Sequence, residues 1–330
     1  MADRRDWTRT RLVDALRAGD RRALARTITL VENGDPLAYE VVSDVYPHTG
    51  NTYAVGITGP PGVGKSSLIS ALIRRVREDG TDVGVISVDP SSPFTQGALL
   101  GDRIRLADHF LDPGVFIRSM GTRGHLGGLA ETTLQTLLVL DAAGKDVVFL
   151  ETVGTGQSEV GVISIADTVV LVLMPGSGDS IQALKAGIME IPDVIAVNKM
   201  DHPMAKAMVT EVRQVLSLGP REGWRPPIVL TEAMRGEGVD TLWDKIQEHR
   251  AWLAAEGELD SRRRRNLSTE VFQVASTRAR RHLEEAVQGS DELKRVLEDV
   301  QERRLDPLTA VREILEKVFR IGDDDGTDAR

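Results

Sequence analysis

Seven short runs rich in β-branched residues punctuate the middle of this chain: "YAVGIT" from Tyr53, "VGVISV" from Val83, "VFIRSM" from Val115, "DVVFLE" from Asp146, "TVVLVLM" from Thr168, "DVIAVN" from Asp193 and "PIVLT" from Pro227. Longer stretches of helical periodicity separate them. Strands that are apolar on both faces are stable only where both faces are covered. The pattern therefore predicts an α/β fold, with a mostly parallel sheet flanked by helices on each side.

The flanks read differently. Leu12, Val13 and Leu16, then Leu24, Ile28 and Val31, recur at helical spacing with Gly19-Asp20 as stop and restart, and "LAYEVVSDVY" from Leu37 continues the pattern. This makes residues 1–50 an N-terminal helical segment and 51–255 the α/β domain. In 256–330 the strands stop. Leu267, Val271, Val274, Leu283 and Val287 mark one helix, and Leu293, Val296, Leu297 and Val300 a second. A third opens at Asp306-Pro307, a cap followed by proline at the first helical position, and carries Val311, Ile314, Leu315 and Val318.

The turn after the first run carries the chemistry. Gly59-x-x-x-x-Gly64-Lys65-Ser66 stands between a strand and an amphipathic helix, the order of a Walker A phosphate loop. Its glycines let successive backbone N–H groups turn toward phosphate oxygens, and the helix aims its positive end at them. Gly59, Pro60, Pro61, Gly62, Val63, Gly64, Lys65, Ser66 and Ser67 are the candidate nucleotide-binding residues here. Lys65 is assigned to the β- and γ-phosphates and Ser66 to magnesium.

Two later stretches address the base. In "VIAVNKMD", the Asp201 carboxylate can accept both N1–H and N2–H₂ of guanine, a donor pair that adenine lacks. Lys199 can lay its stem on the base face, and Asn198 belongs to the same motif. Thr231, Glu232 and Ala233 end the last strand, where backbone groups can meet guanine O6. An acceptor left unpaired by the wrong base discriminates by up to about 10⁴, so GTP is expected over ATP.

At the hydrolysis end, Glu151 closes an apolar strand where an acid orients magnesium or its water, and Gly154 can sense a γ-phosphate. The residue after Gly154 is Thr155, with Gln157 further on, so slow intrinsic hydrolysis is expected. Asp89 and Asp102 are further candidate acids for the magnesium shell, or else a turn residue and a helix cap.

Composition removes other classes. With 41 Lys plus Arg against 50 Asp plus Glu, the formal charge of -9 offers no broad basic surface for nucleic acid. The four arginines Arg262 to Arg265 offer charge to an anion or RNA, but with this overall balance they read as a solvated helix flank or a contact to an acidic partner. The absence of cysteine excludes disulfides and thiolate metal sites. No apolar stretch is long enough to span a membrane and none reads as a signal peptide, so a cytoplasmic protein is expected.

Taken together, "GPPGVGKSSL", "SVDPSSPFTQGALLGDRIRL", "RSMGTRGHLGG", "ETVGTGQSEV" and "PGSGDSIQALKAGIMEIPDVIAVNKMD" resemble the methylmalonyl-CoA mutase-associated GTPase family, the MeaB/ArgK type. The resemblance covers nearly the whole chain. It implies a P-loop α/β domain between an N-terminal helical segment and a C-terminal helical dimerisation arm, forming a homodimer that binds GTP and GDP with Mg²⁺ and hydrolyses GTP slowly. It further implies a partner, an adenosylcobalamin-dependent acyl-CoA mutase, whose cofactor loading is gated and which is protected or reactivated. In that frame Lys65, Ser66, Asp89, Asp102 and Glu151 serve the phosphates and metal, and Asp201 reads guanine. Asp179 and Lys185, in a further mobile switch, relay nucleotide state to the mutase.

Two rival readings stand beside this one. A nickel-insertion GTPase would need clustered ligands, whereas the six histidines are scattered, with His125 alone in a loop that suggests a switch or partner contact. A P-loop kinase of a transport system would need an acceptor and a base, and no residue pattern points to either.

Overall fold

The computed structural model describes residues 7–89, 106–121, 128–152, 164–176, 192–217 and 223–319. All seven predicted runs are strands: β1 (Tyr53–Thr58), β2 (Val83–Asp89), β3 (Val115–Gly121), β4 (Val147–Thr152), β5 (Thr168–Leu173), β6 (Val194–Val197) and β7 (Ile228–Leu230). They form one parallel sheet in the order β3-β2-β4-β1-β5-β6-β7. Because every strand runs the same way, the strand ends gather into two edges of different character. The phosphate loop follows β1 at the C-terminal edge, where ligands of open α/β sheets bind.

Burial explains why the runs lack polar alternation. Val148 and Leu150 of β4 pack into the core on one face, and Val147 and Phe149 into the core on the other. The first face is covered by α1 (Arg9–Arg17), α2 (Arg21–Glu32), α3 (Pro36–Val45) and α5 (Gly128–Ala142), the last of these following α4 (Lys65–Glu78) in the chain. Leu12, Leu16, Leu24 and Ile28 are buried there with Ile86, Val139 and Val169. Capping fixes where these helices begin. Asp20 accepts from the N–H groups of Arg22 (2.7 Å) and Ala23 (3.1 Å), and Asp35 from that of Leu37 (2.9 Å), with Pro36 at the first helical position. Arg118 of β3 donates to Glu32 of α2 at 2.7 Å, tying the N-terminal helices to the sheet's outer strand.

On the opposite face, Leu68, Leu72 and Val76 of α4 pack with Val55, Phe149 and Val172, and with Leu242 and Ile246 of α7 (Val239–Ala255). The latter follows α6 (Ala205–Leu216), whose Met208 and Val212 cover Leu173, Ile195 and Val197.

The first compact unit runs from Met1 to Glu270 and the second from Val271 to Arg330. Helix α8 (Glu258–Gly289) contributes to both. In the second unit, Ser290 caps α9 (Asp291–Gln301) through the Leu293 N–H at 3.3 Å. Asp306 caps α10 (Pro307–Phe319) through those of Leu308 (3.0 Å) and Thr309 (3.1 Å). Leu293, Val296 and Ala310 are buried between the helices, while Phe272, Leu308 and Val311 are exposed. No helix among the described residues is long and apolar enough to cross a membrane.

The arginine quartet corrects the sequence reading. Arg262 makes a two-pronged pair with Asp193 (3.0 and 2.8 Å), and Arg263 another with Asp167 (2.7 and 2.7 Å). Arg263 also donates to the carbonyls of Gly50 and Thr52, each at 2.7 Å. Arg265 pairs with Glu258 at 3.1 Å, and Arg264 is exposed. Two of the four are thus clamps rather than a solvated flank. Asp167 and Asp193 immediately precede β5 and β6, so the start of α8 is fastened to the N-terminal edge of the sheet. The same aspartates accept the N–H groups of Ala54 (2.9 Å) and Val169 (2.8 Å), the second residues of β1 and β5. Beside them His249 is fully buried, and burial pushes its imidazole down to about 4. It is therefore neutral, and its Nδ1 lies 2.7 Å from Thr168 Oγ1.

Candidate functional site

The loop between β1 and α4 has the backbone that its glycines predict. Gly59 has φ +142, and a Cβ there would lie 2.1 Å from the Val172 carbonyl oxygen. Gly64 has φ +95, and its Cβ would meet Asn198 Nδ2 at 2.5 Å. Both positions therefore require glycine for conformation and for space. Gly62 is also left-handed, at φ +77, while Pro61 and Gly62 are exposed on the rim. Val63 points into the core beside the α4 residues.

Lys65 is the first residue of α4 and is only 7% exposed. Its Nζ donates to the carbonyls of Gly59 (2.6 Å) and Pro60 (3.0 Å), which holds a cation at the mouth of a ring of backbone groups. Next to it, Ser66 Oγ donates to Glu151 Oε1 at 2.6 Å, and Ser67 stands half-buried on the following step of the helix. Glu151 is 2% exposed, a burial that an ionised carboxylate tolerates only with strong donors. Its second oxygen accepts from Ser87 Oγ at 3.0 Å. Parallel pairing aligns Ser87 of β2 with Glu151 of β4, so the two side chains share one face of the sheet. Ser87 was not among the residues singled out from the sequence. The available signal was a lone hydroxyl in an otherwise apolar strand.

A second group forms at the ends of β6 and β7. Asn198 Nδ2 donates to the Val63 carbonyl at 2.9 Å. Its Oδ1 accepts from Thr231 Oγ1 and from the Ala233 N–H, both at 3.2 Å. One buried amide therefore joins the phosphate loop to the segment after β7. The N–H groups assigned to guanine O6 have internal acceptors here: that of Ala233 donates to Asn198, and that of Glu232 to the Glu237 carbonyl at 2.9 Å. Lys199 takes φ +58, a left-handed conformation that is costly for a side chain with a Cβ. The turn carries its Nζ to 3.4 Å from the Gly62 carbonyl and 3.0 Å from Met174 Sδ. Its stem spans from the base motif toward the phosphate loop. Asp201 is exposed, and burial first, then the neighbouring Asp201, raises the Glu232 carboxyl above its usual range.

Other predicted positions lie outside the described residues: Asp102, His125, Gly154, Gln157, Asp179 and Lys185. Asp89 ends β2 in register with Gly121, which puts its backbone at the same sheet edge as Glu151. Of the histidines, His109 is buried against Ser70 at 2.9 Å, with its imidazole pushed down by burial. Among the described residues no three His, Asp or Glu side chains come together as a metal cluster, so the nickel-insertion reading gains no ligand set from them.

The arrangement offers a buried cation, a loop turned by left-handed glycines, a paired hydroxyl and carboxylate, and an exposed acid two strands away. A nucleoside triphosphate presents the complementary groups in that order. Comparison with known proteins gives the same picture. Residues 24–288 match the family described as methylmalonyl Co-A mutase-associated GTPase MeaB. A protein of Pyrococcus abyssi described as a GTPase is 49% identical over 94% of this chain and 97% of its own length. The mouse mitochondrial methylmalonic aciduria type A homolog is 35% identical over 77% of this chain and 66% of its own. Among solved structures, an LAO/AO transport system kinase superposes with a TM-score of 0.73 at 28% identity, covering 94% of this chain and 98% of that one.

Proposed function

We propose, because the chain belongs to the methylmalonyl-CoA mutase-associated GTPase family and is a GTPase, that it is a guanine-nucleotide switch serving an adenosylcobalamin-dependent acyl-CoA mutase of the methylmalonyl-CoA mutase type. In this reading GTP state gates cofactor loading and protects or reactivates the mutase. The observation that carries the switch is the buried convergence of Lys65, Ser66 and Glu151 behind the phosphate loop. The mutase partner is supported by family membership.

The chemistry assigned to each residue follows from its setting. Lys65 and the loop amides would bind the β- and γ-phosphates. The hydroxyl and carboxylate of Ser66 and Glu151 form a hard-oxygen donor pair that fits magnesium, with Asp89 and Asp102 as further acids. The ion, when bound, supplies charge neutralisation on the phosphates. Gly154 and Gln157 are assigned to γ-phosphate sensing, and Asp179 and Lys185 to the relay. With Thr155 following Gly154, the chain's own activation of water is weak, which leaves room for a partner to accelerate turnover.

GTP hydrolysis by the purified protein, with ATP as control, tests this with and without the mutase of the same genome. Slow GTP-only turnover that stops on chelating magnesium and rises with the mutase is the expected result. Turnover indifferent to the mutase would remove the partner and leave the GTPase standing. Label from the γ-phosphate retained on protein, instead of released as free phosphate, would favour the kinase reading.

We also propose that the second unit forms a homodimer. Phe272 (73% exposed), Leu308 (82%) and Val311 (52%) leave apolar area in water on α8 and α10. Sedimentation equilibrium should give twice the 36.0 kDa chain mass, and Phe272→Asp combined with Leu308→Asp should return the monomer. A wild-type monomer would sink the idea.

A further inference from the structure

The two oxygens of Glu151 are held from different elements: Oε1 by Ser66 Oγ of α4 at 2.6 Å, and Oε2 by Ser87 Oγ of β2 at 3.0 Å. Alternation along the strands explains how the second hydroxyl comes to be there. Val85 and Phe149 lie side by side in parallel register and pack into the core under α4. Two residues further on, Ser87 and Glu151 share that face, in register again, where α4 begins with Lys65 and Ser66. The intervening Ile86 and Val88 turn to the core on the other face. Ser87 is thus a hydroxyl where the strand's own pattern asks for an apolar residue, and it is 2% exposed.

The two bonds stand differently toward an ion. Ser66 Oγ and Glu151 Oε1 are the pair assigned to magnesium, so the ion and their mutual hydrogen bond draw on the same atoms. The Ser87 bond lies on the other oxygen and need not be given up. With Oε2 tied to β2, Oε1 is left facing α4. The tie also carries no charge. A lysine or arginine in the same place would offset the carboxylate that a divalent ion needs, whereas a hydroxyl is a neutral donor that leaves it whole. An apolar residue there would take one donor from a buried carboxylate, which tolerates burial only while its oxygens are hydrogen-bonded.

We propose that Ser87 is a positioning residue for the metal site: its hydroxyl fixes the orientation of Glu151, so that magnesium meets a preformed ligand. This rests on the reading of Ser66 and Glu151 as the magnesium pair. Ser87 reaches the site through Glu151 and not through the phosphate loop. It therefore sets the strength of ion binding and leaves the nucleotide's own contacts to Lys65 and the loop.

The test is binding of a fluorescent, non-hydrolysable GTP analogue, titrated from chelator to excess magnesium, for the wild type, Ser87→Ala, Ser87→Cys, Ser87→Thr and Glu151→Gln. Losing a hydrogen bond behind a metal ligand typically weakens metal binding by about 10- to 100-fold, so half-saturating magnesium should rise about tenfold or more in Ser87→Ala. Ser87→Cys, whose thiol keeps nearly the volume but donates weakly, should behave alike, and Ser87→Thr, which keeps the hydroxyl, should stay near the wild type. Affinity in chelator should be the same for the wild type and the three Ser87 variants. A wild-type magnesium requirement in Ser87→Ala and Ser87→Cys overturns the proposal. So does a loss in chelator as large as that in magnesium, which marks a merely structural hydroxyl. Glu151→Gln separates this from the reading beneath it: a magnesium response lost there leaves the metal site standing even if Ser87 proves idle, and a response retained there overturns both.

Discussion

Lys65→Ala is expected to weaken GTP binding by about 100-fold or more and to take turnover below detection. A buried ammonium held by two carbonyl oxygens at 2.6 and 3.0 Å is placed to meet an anion, and its charge-assisted contacts to phosphate are each worth about 1.5–3 kcal/mol. A cation aimed at developing charge in the transition state adds a further factor of roughly 10²–10³ in rate. Titration calorimetry reads the affinity and a phosphate-release assay the rate. Thermal melting of the nucleotide-free protein should change little, because the substitution removes a buried charge without opening an apolar core. Retained GTP affinity would end the assignment of the loop.

The largest effect on stability is expected at the other end of the sheet. Arg263→Ala leaves Asp167, itself 3% exposed, with its charge buried and its two-pronged partner gone. Removing one member of such a pair costs on the order of 3 kcal/mol, far above the value of an exposed pair. The carbonyls of Gly50 and Thr52 lose their donor at the same time. Arg263→Lys should rescue little, since a single ammonium cannot span a carboxylate and two carbonyls. Chemical denaturation provides the measurement. A loss below about 0.5 kcal/mol would mean that the clamp is ornamental at this edge. GTP affinity of the folded variant should be unchanged, because the site and the clamp lie on opposite edges of the strands.

What the sequence disclosed follows from which forces are local. The seven strands were legible because burial on both faces writes itself as unbroken apolar runs, as at Val147 to Leu150. The phosphate loop was legible because Gly59 and Gly64 answer to sterics within a few residues. The helix start at Pro307 was legible for the same reason. Pairing between distant segments was not. Nothing in "VGVISV" announces that Ser87 would lie opposite Glu151, because strand order is set by non-local contacts. The run Arg262 to Arg265 looked like exposed charge, since a one-dimensional reading cannot place Asp167 and Asp193 beneath it.

Asn198 has a consequence for which nucleotides the site will accept. Its amide grips Val63 in the loop with one end and Thr231 and Ala233 with the other. The span between the phosphate cradle and the base reader is therefore set by the protein, like the jaws of a locked caliper. A ligand with the right base and the right phosphates joined by a longer or shorter bridge would satisfy either jaw alone. Selection then acts on length as well as on chemistry, and it is enforced by a residue whose side chain is already spent on other parts of the chain.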